Sequence, residues 1–217
     1  MKLNHKIQLL IPLLALLAGA CSPGSSSPQN LEKIVHLIID NNPELDPHLT
    51  ENLIHEVSRK VRSHYLLGIE QVRNTGVYVL LTAPGNRQSV KEIIPELDGN
   101  PKTPILEPIP SDETALPKMF QRCIDKAHKA KADSSILFCV IVTPGTSNRQ
   151  VISQLHLMSQ SLVDKNLNKQ IRLYLIGVNP KYRFQLTDGF APLEEQVAIA
   201  SHLDTQWLPF IKEALKP

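Results

Sequence analysis

With 217 residues and 42% hydrophobic side chains, the chain suits one domain with a real core plus an appendage. Its 23 Lys and Arg exceed its 21 Asp and Glu by two, and Lys2 and Lys6 account for that excess, since residues 1–20 carry no acid. Beyond residue 20 the basic and acidic residues balance, 23 − 2 = 21 against 21, and no basic patch argues for nucleic acid.

Residues 1–30 stand apart from the rest. Residues 7–18 form an apolar run broken only by Gln8 and Pro12, shorter than the ~20 residues of a membrane span. The run leads into Ala18-Gly19-Ala20-Cys21, and small residues at that point are a secretory cleavage signature. With a cysteine directly after them, the segment resembles the bacterial lipoprotein signal. That resemblance implies cleavage before Cys21 and lipid on its sulfur and amine. It also implies a protein held on a membrane of the bacterial cell envelope, facing the periplasm or the exterior. Ala18 departs from the leucine more usual there. Residues 22–30 (SPGSSSPQN) make a flexible tether.

Leu31, Ile34, Val35 and Ile38 recur at helical spacing, which predicts a helix over residues 30–41. Asp46-Pro47 opens a second helix, and Leu49, Leu53, Val57, Val61 and Tyr65 carry its stripe to Gly68. Residues 31–68 thus read as an N-terminal helical hairpin. The first clear strand is GVYVLL (residues 76–81). A short helix follows over residues 89–94, then a brief proline-broken strand at residues 104–109. Ser111-Asp112-Glu113 caps a helix running to about Lys131, with Leu116, Phe120, Cys123, Ile124 and Ala127 facing inward. SILFCVIV (residues 135–142) is a continuous apolar run that suits a strand buried on both faces. A turn at Thr143-Pro144-Gly145 leads to a helix over residues 149–163 capped by Thr146, Ser147 or Asn148. IRLYLIGV (residues 171–178) closes a right-handed βαβ unit. A loop over residues 179–192, a short helix over 193–201 and a last helix, capped by Asp204 or Thr205 and carrying Trp207, Phe210, Ile211 and Leu215, complete the chain. Alternating strands and helices predict a three-layer, Rossmann-like α/β domain over residues 75–217, with a mostly parallel sheet of four or five strands.

Besides Cys21, Cys123 and Cys139 remain. Counted along helix and strand, they lie about 12 and 13 Å from the turn between them, at ~1.5 and ~3.3 Å per residue. They read first as two small buried thiols packing as hydrophobes, with a disulfide as the alternative.

Two strand ends repeat one pattern: Thr82, Pro84-Gly85, Asn86-Arg87-Gln88, and Thr143, Pro144-Gly145, Asn148-Arg149-Gln150. If the strands are parallel, Thr82, Gly85, Asn86 and Arg87 share an edge with Thr143, Gly145, Ser147, Asn148 and Arg149. A small anion would meet two helix N-termini and two arginines there. The plainer reading is turn formers and helix caps. Asp40-x-Asn42-x-Glu44-x-Asp46, with His48 and Glu51, tracks a calcium loop superficially. Leu45 occupies the position that needs glycine and Pro43 stiffens the loop, so a linker between two helices is expected instead. The eight histidines show no ligand spacing, and no G-x-S-x-G elbow or glycine-rich phosphate loop is present. No motif argues for catalysis.

The order of pieces resembles a von Willebrand factor A-like domain. The landmarks are the strand ending at Thr82, the helix opened by Asp112–Thr114, and the strand ending Thr143-Pro144-Gly145. LYLIGV (residues 173–178) and VAIASHL (residues 197–203) complete them. In that family an Asp-x-Ser-x-Ser loop after the first strand holds a divalent cation, together with a threonine and a later aspartate. Here those positions read Thr82-Ala83-Pro84-Gly85-Asn86, Pro144 takes the place of the aspartate, and only Thr114 matches the threonine. The resemblance therefore implies an interaction or scaffolding module with no metal and no cofactor, meeting a protein partner in the envelope. The alternative is a small-anion binder or hydrolase working at the Thr82/Thr143 edge.

Overall fold

In a computed structural model of the protein, residues 33–61, 65–73, 76–95, 115–132, 135–201 and 207–215 are described. The segment expected to begin the helical hairpin is instead strand β1 (Lys33–Asp40), one of the two central strands of the sheet. Its residues alternate between two cores: Ile34 and Ile38 join one apolar cluster, and Val35, Leu37 and Ile39 join the other. A strand buried on both faces is apolar at nearly every position, so a subset of its residues always fits helical spacing.

Helix α1 (Pro47–Lys60) begins where expected. Asp46 accepts a hydrogen bond from the His48 amide, and Pro47 holds the first turn. The expected continuation to Gly68 fails, because Tyr65–Arg73 is strand β2, paired parallel to β1. β3 (Gly76–Pro84) turns back antiparallel to β2 and leads into α2 (Arg87–Glu92). Helix α3 (Ala115–Ala132) precedes β4 (Ile136–Val142), α4 (Arg149–Asp164) and β5 (Ile171–Val178), which is the expected βαβ unit. After it come α5 (Arg183–Gly189), β6 (Val197–Ser201) and α6 (Trp207–Ala214). β6 replaces the expected helix over residues 193–201: with two alanines and five residues it is too short to show a period.

The six strands lie in the order β3-β2-β1-β4-β5-β6, with β3 the single antiparallel member. One face is covered by α3, α4 and α5, the other by α1, α2 and α6. This is the three-layer α/β architecture with a mostly parallel sheet, one strand larger than expected. Residues 31–68 and 75–217 are not separate parts, because β1 and β2 sit in the same sheet as β4.

Two constraints fix the layers, one covalent and one steric. Cys123 of α3 and Cys139 of β4 are joined in a disulfide, with Cα atoms 6.1 Å apart, so the reading as two thiols is corrected. Gly177 of β5 adopts φ +84°, and a Cβ there would stand 2.8 Å from the methyls of Leu45 and Leu49. Its bare backbone lets the start of α1 lie directly on β5. Residues 104–109, Ser111–Glu113 and Thr114, Asp204 and Thr205, and Cys21 with its signal and tether, fall outside the described residues.

Candidate functional site

The parallel strands all end at one edge of the sheet, and polar residues converge there. Asp40 is the last residue of β1, and Thr143 follows directly on β4. The Thr143 hydroxyl donates to Asp40 Oδ2 at 3.2 Å and accepts from the Gly145 amide at 3.2 Å. Burial pushes the Asp40 carboxyl up to about 6, against the opposing pull of the Thr143 hydrogen bond. Asn42 folds the next turn by accepting from the Glu44 amide at 2.9 Å. Above this floor opens a cleft of about 490 Å³ whose lining includes Asp40, Asn42, His48, Glu51, Gln71 and Ile94.

As a cation site the donor set is thin. Asp40 is the one carboxylate on the floor, Thr143 faces it with a hydroxyl, and Asn42 already spends its oxygen on the turn. Glu44 points toward Lys181, 3.8 Å away. Among the described residues no three His, Cys, Asp or Glu gather as a metal would require. A hard dication wants several oxygens with negative charge, and these residues do not fit one.

The structure separates the two loops that the sequence paired. Because β3 is antiparallel, Thr82 pairs with Gly68 and Pro84 with Leu66, toward the start of β2. Gly85 donates its amide to Tyr65 O, and the Arg87 guanidinium donates to Arg59 O at 2.8 Å, at the end of α1. Thr82, Gly85, Asn86 and Arg87 therefore lie at the opposite end of the sheet from Thr143, Gly145, Ser147, Asn148 and Arg149. The shared anion crevice does not exist. Both asparagines are helix caps, Asn86 accepting from the Gln88 and Ser89 amides and Asn148 from those of Gln150 and Val151. Gly145 adopts φ +85° where any Cβ would meet Leu186 at 2.8 Å, which is a packing role.

A second polar cluster, which nothing in the sequence reading anticipated, lies beneath α3. Glu70 of β2 is 2% exposed and takes a bidentate contact from Arg122 of α3, through Nε and through Nη2. His36 of β1, 1% exposed, sets its Nε2 obliquely 3.2 Å from Glu70 Oε1. Burial lowers the His36 pKa, with Lys126 and Arg122 adding to the effect and Glu70 opposing it. Burial alone would raise Glu70, but its bonds to His36 and Arg122 outweigh that and hold it well below the usual carboxylate range. With His36 neutral, the Arg122 fork is what keeps Glu70 ionised. The available signal was a glutamate and a histidine inside otherwise apolar runs, IVHLII and YLLGIE.

No family model matches the sequence, and no curated protein matches it. Among solved structures the chain is similar to the N-terminal domain of TFIIH p34, with a TM-score of 0.44 and 11% identity over 87% of this chain and 98% of that one. It is also similar to the SpRpn10 VWA domain, with a TM-score of 0.46 and 12% identity over 78% of this chain and 87% of that one.

Proposed function

We propose that the protein is a lipid-anchored component of the bacterial cell envelope whose α/β domain holds a protein partner at the Asp40 edge, without a bound dication. The observation that carries this reading is the cleft itself. It is open, it mixes polar Asn42, His48 and Glu51 with apolar Ile39, Leu45 and Ile94, and it sits where parallel α/β sheets bind their ligands. The von Willebrand A-like comparison moves with the corrected strand order. The family's Asp-x-Ser-x-Ser now falls on Asp40-Asn41-Asn42-Pro43-Glu44, keeping the first aspartate and replacing both serines, while Pro144 still stands at the later aspartate. One carboxylate supports a hydrogen-bonding edge better than a cation site. The one hydroxyl bonded to a carboxylate here among the described residues, Thr143 on Asp40, is buried and does not line the cleft, so binding is favoured over hydrolysis.

Photocrosslinkers placed at Asn42, His48 and Glu51, compared with the same probes at Arg87 and Gln88, test the edge in native membranes. A common adduct from the first three and none from the last two is expected; the reverse pattern overturns it. Cys21→Ser should move the protein from the membrane fraction to the soluble one. Calorimetric titration with magnesium or manganese should show no micromolar binding.

A further inference from the structure

Between α3 and the sheet, on the face away from α1, lies a second and smaller cavity of about 50 Å³. It exists because Gly68 has no side chain: a Cβ there would come within 3.1 Å of His36 Cδ2. Three strands align across its floor, with His36 opposite Gly68 and Gly68 opposite Thr82. Lys126 and Lys129 of α3 line it from above.

The charges here do not cancel. Arg122 is committed to Glu70, whereas Lys126 and Lys129 make no ion pair among the described residues. Both ring nitrogens of His36 are buried without a well-formed hydrogen bond, an expensive state for polar atoms, and its Cδ2–Nε2 edge is the side nearest Gly68. A void of this size admits about three or four water-sized atoms, and Ile34, Val35 and Leu66 make its walls partly apolar. Two ammoniums without an ion pair among the described residues, one hydroxyl, one unsatisfied imidazole and a short greasy wall together specify a small anion with an apolar end.

We propose that this cavity binds a small monocarboxylate of about acetate size, its carboxylate facing Lys126, Lys129 and the Thr82 hydroxyl, with His36 taking up a proton as it enters. The site lies about 13 Å along β1 from Asp40, four residues at ~3.3 Å each, and does not depend on the partner-binding edge. The groups facing His36 are Glu70 from β2, and Arg122 and Lys126 from α3; β4 offers only Cys139, which is closed in its disulfide. An arriving anion favours the imidazolium, so binding tightens as pH falls.

The test is a titration of the full chain with sodium acetate, read on the ring signals of His36, which His36→Gln assigns. A saturable shift is expected, with affinity rising as pH drops from 8 to 6. Lys126→Gln combined with Lys129→Gln should weaken it about tenfold or more while the melting temperature stays unchanged. Gly68→Ala fills the hollow and should abolish it. The absence of a saturable shift up to about 100 mM acetate overturns the site. So does an equal shift with sodium chloride, or unchanged affinity in the double lysine variant, which keeps the question decidable even if Gly68→Ala folds poorly.

Discussion

Asp40 and Glu70 are both carboxylates withdrawn from water on adjacent strands, yet they titrate in opposite directions. Asp40 ends β1 with a single hydroxyl for company, and burial raises it to about 6. Glu70 lies deeper, but Arg122 grips both of its oxygens and holds it ionised. Desolvation acts on both, and the presence of a cation in bidentate geometry decides which form survives. A paired carboxylate is part of the scaffold. An unpaired one at an open edge is held at a cost, and such a cost is a mark of a binding site rather than of a core.

The largest expected effect comes from removing that cation. Arg122→Ala should cost about 3–5 kcal/mol at pH 7.5, because Glu70 is left charged and buried beside a neutral histidine. In wild type, Glu70 contributes stability above its unfolded pKa that is lost as pH falls through its lower folded value. In the variant the folded pKa rises above the unfolded one, so the deficit shrinks toward pH 5. Denaturant unfolding at the two pH values measures both statements.

Reducing the disulfide should cost about 3 kcal/mol, the loop-closure figure for a 16-residue separation. It would loosen the helix that carries Arg122, and thermal unfolding with and without a dithiol reductant reads it. Asp40→Asn acts with the opposite sign. The folded carboxyl near 6 lies above the unfolded 3.8, so the wild-type fold gains stability as pH falls from 6 toward 4 and forgoes it above 6. The variant should therefore be more stable by about 2–3 kcal/mol at pH 8 and no different near pH 4. Equal stability of the two proteins at pH 8 would sink this account of Asp40. The smallest effect belongs to Thr143→Ala, about 1–2 kcal/mol at pH 8. It should also move the Asp40 carboxyl resonance midpoint further up, since the lost bond favoured the ionised form.

How far the sequence could be read depended on burial. The unit from Ile136 to Val178 was legible because its helix is amphipathic, its strands are short apolar blocks, and Asn148 marks the boundary between them. β1 was not legible. Its run is apolar from Ile34 to Ile39 except for His36, so Ile34, Val35 and Ile38, with Leu31 before them, fit helical spacing with equal ease. That helical spacing hides the site, since Asp40 then reads as part of a linker rather than as the end of a strand. Likewise the repeated Thr, Pro-Gly, Asn-Arg-Gln pattern is local chemistry for ending a strand and capping a helix. It says nothing of strand direction, and β3 runs the other way.

The position of β1 also bears on how the chain is made. Its neighbour β2 arrives about 30 residues later, but its other neighbour, β4, pairs Val142 with Ile39, about 100 residues downstream. At ~5–20 residues per second of synthesis, this largely apolar strand waits several seconds for the partner that covers its second edge. During that interval KIVHLIID is a naked, uncapped sticky strip, and a nascent chain halted before Ile136 should recruit holdase chaperones or aggregate, whereas one extended past Val178 should not.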